Sequence, residues 1–121
     1  MVDGKKRKNT GKEVTMTIKE YVDDVLCVPV TRVGNKFIVE AIELVIDTHN
    51  HKFYDTLSKI ENHRVRYLEV AIRSAKILGL EAMKATYKTD IFGENNPYPD
   101  NTTYIVRAAE YYRRNYENKE T

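Results

Sequence analysis

Between Asn62 and Gly79 the apolar residues Val65, Leu68, Ile72, Ala75 and Gly79 return at alternating steps of three and four. At 3.6 residues per turn these positions stack into one stripe, and a stripe of that kind needs a second element to bury it. Ala71 and Leu78 widen it. Asn62 is a good N-cap ahead of this segment, and Gly79 stands where a C-terminal glycine belongs, so the spacing predicts a helix over 63–78. Its other face carries Arg66, Tyr67, Glu69, Val70, Arg73, Ser74 and Lys76.

The same period appears elsewhere. After Gly34-Asn35, the residues Phe37, Ile38, Ala41, Ile42, Val45 and Ile46 mark a second strong helix, with Glu40, Glu43 and Asp47 turned to water. Thr17-Ile18-Lys19-Glu20 has the form of a capping box that opens a short helix through Leu26. Val28-Pro29 ends it, because proline disfavours helix at the preceding residue. His49-Asn50-His51 breaks the second helix, and a third is expected over 50–60. Leu80–Lys88 reads as helical though poorly periodic. Asp90-Ile91-Phe92-Gly93 and a loop with Pro97 and Pro99 follow. Asn101 is then expected to cap a last helix with Tyr104, Ile105, Ala108, Ala109 and Tyr112 inward. No alternating apolar run bounded by turns suggests a strand, so the expectation is an all-α, six-helix bundle.

With 121 residues the chain is long enough for one domain and one core. It is 41% hydrophobic and 31% charged, an ordinary globular balance. No apolar run approaches the roughly 20 residues of a membrane span, and no apolar segment follows the N-terminal charges as in a secretory signal. The single cysteine, Cys27, cannot form an internal disulfide; a cytoplasmic protein is expected. The net charge of +2 is uneven: Lys5, Lys6, Arg7, Lys8 and Lys12 against Asp3 and Glu13 give residues 1–13 a charge of +3, leaving −1 for the rest. Residues 1–13 are therefore expected to be a flexible basic arm, and 14–121 the folded domain.

The helices expected over 50–60 and 63–78 meet at Glu61-Asn62. So tight a joint forces a large crossing angle, the arrangement of a helix-turn-helix. The second helix would then face a partner with its polar side. An α-helix fits the B-DNA major groove, where Arg, Ser and Glu can read base edges and Val or Tyr can touch thymine methyls. The candidate base-reading residues are Arg66, Tyr67, Glu69, Val70, Arg73 and Ser74. Arg64, Lys76, Lys5, Lys6, Arg7 and Lys8 are candidates for phosphate contacts, which position a protein on a duplex without specifying sequence.

Cys27-Val28-Pro29, Gly34 and Glu40-Ala41-Ile42 follow the spacing G-V-P-x-x-x-x-G-x-x-x-x-x-E-A-I. Phe53-Tyr54 through Lys59, Asn62, Leu68-Glu69, Ala71-Ile72-Arg73 and Ala75 continue in register. Ile91-Phe92-Gly93 stands for a Leu-Phe-Gly. Pro99, Asn101, Thr102, Tyr104 and Ile105 stand for a P-x-N-S-x-F-I. In these motifs, from about Tyr21 to Arg113, the chain resembles the C-terminal effector domains of the stage-zero sporulation response regulator family. The resemblance implies six helices, a fourth helix in the major groove, and tandem binding on adjacent half-sites as a homodimer on DNA. It also implies a base-reading role for Glu69.

The chain departs from that pattern on the reading face. The family's Arg after the Glu is Val70 here, its Arg two residues before is Tyr67, and its His after Arg73 is Ser74. A bidentate Arg–guanine contact is worth about 1–3 kcal/mol of discrimination, so a different or weaker target sequence is expected. The family's receiver domain has no counterpart, which suggests a stand-alone effector domain free of phosphorylation control.

Other chemistry is not assembled. His49, His51 and His63 lack a metal-site frame, Cys27 reads as a small buried thiol, and Tyr104 and Tyr112 share an apolar face. No acid, base and nucleophile converge and no glycine loop cradles a phosphate, so no catalytic site, metal, cofactor or small-molecule substrate is expected. The competing expectation is a protein-interaction module of the same fold that blocks a transcription factor or RNA polymerase.

Overall fold

The computed structural model describes residues 16–117, so the arm of residues 1–13, with Lys5, Lys6, Arg7 and Lys8, lies outside the described residues. The described chain is all-helical: α1 (Ile18–Asp24), α2 (Val33–Thr48), α3 (Tyr54–Glu61), α4 (Val65–Ala82), α5 (Ala85–Phe92) and α6 (Asn101–Asn115). α2 is the central helix and packs on α1, α3, α4 and α6; α4 also packs on α3 and α6, and α5 on α6.

The apolar stripes meet as the spacing predicts. Phe37, Ile38, Ala41 and Ile42 of α2, Leu68, Ile72 and Ala75 of α4, and Tyr104, Ile105 and Ala108 of α6 are buried in one core. α1 begins with the expected capping box: the Thr17 hydroxyl accepts from Glu20 N, and Glu20 Oε1 accepts from Thr17 N at 2.8 Å. Tyr21 carries α1 into the core, stacks among Tyr111, Tyr112 and Tyr116, and donates its hydroxyl proton to Ala108 O at 2.8 Å.

Several helix ends differ from the sequence expectation. α2 starts at Val33, so Gly34 and Asn35 belong to its first turn. Gly34 is there because α2 and α4 nearly touch: a Cβ on it would collide with Ala71 O and lie 2.7 Å from Ala75 Cβ. Asn35 is buried, and its Nδ2 donates to Asp23 Oδ1 and Val28 O, which fixes the α1–α2 connection. α3 starts at Tyr54, not near 50; His49 ends α2 in a left-handed turn, and Asn50 Oδ1 accepts from Lys52 N before α3 begins. Gly79 lies inside α4, which runs on to Ala82. A Cβ there would lie 2.6 Å from Leu26 O, so this glycine admits the α1–α2 loop rather than ending a helix. α6 is capped by Asp100, whose Oδ1 accepts from Thr103 N at 2.8 Å, and Asn101 is its first residue. Asp and Asn are equally good caps, so the sequence leaves that register one residue open.

Candidate nucleic-acid interface

The joint between α3 and α4 is three residues long, Asn62, His63 and Arg64, rather than one or two. Asn62 caps the end of α3 in the left-handed region (φ 56°), the reverse of its expected role as the N-cap of α4. Asparagine tolerates that backbone better than most side chains. The Ser58 hydroxyl closes the corner by donating to His63 O, and Arg64, in extended backbone, precedes the first turn of α4. His63 stacks on Tyr67 at 4.5 Å between ring centroids, and both lie edge-on to Phe37 of α2. The start of α4 is thereby anchored on the core helix.

Arg64, Arg66, Tyr67, Glu69, Val70, Arg73 and Ser74 are all exposed. Tyr67 and Val70 retain 45% and 43% of their surface, a large apolar exposure for one helix face. Among the described residues neither Arg66 nor Arg73 forms an ion pair, whereas Lys19 and Lys36 pair with Asp23 and Glu61. The exposed face divides along its length. Arg66, Glu69, Val70 and Arg73 line an open recess of about 410 Å³, whose far wall is Asp100, Asn101 and Thr102 at the start of α6. Tyr67 and Ser74 lie outside it.

Lys76 is corrected by the structure. It is only 6% exposed, and its ammonium donates to Pro99 O at 2.8 Å at the base of the recess. A lysine stem is long enough to cross apolar surface before its charge finds a partner, which is how a polar-face position becomes buried. Burial, then the nearby Arg73 charge, pushes its pKa below the usual lysine value, opposed by Asp100.

Asn101 joins three helices at this place. Its Nδ2 donates to the Tyr54 hydroxyl of α3 at 2.9 Å and to Glu69 O of α4 at 3.0 Å, while its Oδ1 is buried without a partner. Sequence reasoning assigned Asn101 to capping and missed this; the only signal was its place beside Asp100, a cap that frees the next side chain for other work.

A second group sits behind the corner. Glu40 of α2 faces Glu61, the last residue of α3, with the Lys36 ammonium 3.2 Å from Glu61 Oε1. Glu40 was expected to face water, but its Oε1 is buried. Burial, a hydrogen bond with Glu61 and the Glu61 charge raise its pKa to about 7, while the same hydrogen bond and Lys36 hold Glu61 below the usual value. His49 and His51 are exposed in the turn after α2, apart from His63. Cys27 is half-buried rather than fully buried, in a left-handed backbone (φ 58°). Tyr104 and Tyr112 are core residues. Among the described residues no helix is long and apolar enough to cross a membrane.

No protein-family model matches the chain, and no curated protein matches it.

Proposed function

We propose that the chain is a sequence-reading, double-stranded DNA-binding transcription regulator that docks α4 in the major groove with α3 behind it, as a helix-turn-helix. The carrying observation is the exposed α4 face, where two arginines that form no ion pair among the described residues stand beside Tyr67, Val70 and Ser74 on a helix rigidly held by the core. Two guanidinium groups that are open to solvent and form no ion pair among the described residues fit a polyanionic partner, and a helix is the element that fills a major groove. The resemblance to the sporulation effector domains supports the same reading and adds tandem homodimeric binding on adjacent half-sites. The protein works in the cytoplasm, on the nucleoid when bound, as a binding protein and not an enzyme.

A second reading draws on the apolar part of that face. Tyr67, Val70 and Ile77 are all exposed on α4, which suits a protein-interaction module directed at a transcription factor or RNA polymerase.

The test is selection from a random-sequence duplex pool with the wild type and Val70→Arg. The DNA reading expects an enriched motif from the wild type. Val70→Arg restores the arginine of the resembled family and is expected to add a guanine preference at one position, worth about 1–3 kcal/mol of discrimination. No enrichment by either protein overturns sequence reading and leaves the protein-interaction module.

A further inference from the structure

The recess between α4 and the start of α6 gathers positive charge without an evident internal reason. Arg66 and Arg73 are seven residues apart, about 10.5 Å along the helix axis, and both line it. Lys76 lies at its base, buried, with its ammonium on Pro99 O. The far wall is a helix N-terminus, itself a partial positive charge. A cation there is on the wrong end of the dipole, and a second cation beside it adds repulsion. Burial weakens proton binding by Lys76, Asp100 opposes it, and Arg73 adds a smaller push in the same direction as burial. Of the two carboxylates in the lining, Asp100 is turned to its own helix, accepting from Thr103 N. Its charge still reaches Lys76, so Glu69 and Asp100 together stand against three cations, and one positive charge is left over. A recess lined by more cations than carboxylates, two of the cations open to solvent, draws an anion to it.

We infer that this recess seats a phosphate-type oxyanion, clamped by Arg66 and Arg73 above Lys76, and that on duplex DNA a backbone phosphodiester fills it. The inference rests on the DNA reading for the source of the phosphate, and on the recess alone for the site. Its consequence is a division of labour on α4. Arg66 and Arg73 position the helix on the backbone, and base reading falls to Tyr67, Val70 and Ser74. Guanidinium groups suit this role because their planar forks match phosphate oxygens bidentately.

The experiment titrates the wild type, Arg66→Gln, Arg73→Gln and the two Arg→Lys variants with a selected and a random duplex across a potassium chloride series. Each Arg→Gln change is expected to lower the slope of log K against log salt by about one unit. Affinity for both duplexes should fall by a common factor of about five near 150 mM salt. The Lys variants keep the charge and are expected to keep the slope. An unchanged slope, or a loss confined to the selected duplex, overturns the inference, because it makes the arginines bystanders or base readers. All these side chains are exposed, and equal thermal midpoints confirm that the variants fold.

If the wild type binds no duplex, the DNA reading has failed and the site is judged by inorganic phosphate. Saturable phosphate-induced shifts of the Arg66 and Arg73 Nε–H resonances, lost in the double Gln variant, uphold an oxyanion site that takes free phosphate. Absence of such shifts overturns it.

Discussion

Glu40 is the residue whose state changes nearest neutrality. Its carboxyl faces Glu61, Lys36 and Glu43, and it keeps its proton to about pH 7 against an ordinary value of 4.5. A group that binds its proton more tightly in the folded state than in the unfolded one stabilises fully below the unfolded value. That contribution is lost as pH rises through the folded value. Glu61, shifted downward, works in the opposite sense and only in acid, below the ordinary value. The thermal midpoint is therefore expected to fall as pH rises from about 5 to 8. Glu40→Gln, which can still donate to the Glu61 carboxylate, is expected to flatten that dependence and to be the more stable protein at pH 8. Equal pH profiles for the two would show that the Glu40–Glu61 pair carries no linkage.

Among the elements, the closest approach is that of α2 and α4 at Gly34, where α4 backbone and Ala75 leave no room for a methyl group. Gly34→Ala forces the helices apart and is expected to cost on the order of 3 kcal/mol, read as a lower denaturation midpoint at unchanged m-value. The same residues show what the sequence could and could not disclose. Each stripe is a local property of period 3.6, so Phe37 to Ile46, Val65 to Ala75 and Tyr104 to Tyr112 were legible as inward faces. The helix limits were less so. Gly34 and Gly79 read as punctuation, but both are spacers whose need comes from a neighbouring segment, Ala71 in one case and Leu26 in the other. Asn62 suits either side of a helix boundary, and only the path of the chain at Glu61 decided for a left-handed C-cap. On the candidate site, the exposed side chains of α4 followed from periodicity. The recess did not, because Asp100, Asn101 and Thr102 come from α6, and no local pattern brings α6 to α4. The burial of Lys76 was hidden for the same reason, since its partner is Pro99, 23 residues on.

At the scale of the molecule, the first and last helices are clasped together. Tyr21 of α1 bonds Ala108 O, and the Tyr112 hydroxyl of α6 donates to Met16 O at 2.6 Å. Tyr21→Phe keeps the ring packing and removes one buried bond, so it is expected to cost about 1 kcal/mol, about 5 °C in thermal midpoint. Coincident loss of helix signal and tyrosine fluorescence is the check that the whole bundle yields together. α5 is differently placed: its main packing is on α6 rather than on central α2, and its only buried side chains are Ile91 and Phe92. That gives the fold an order in time. Amide hydrogens of α5 are expected to exchange with solvent through brief local openings, hours before those at Ala71, Ile72 and Ala75, where α4 is pressed against α2 and waits for the entire molecule to open.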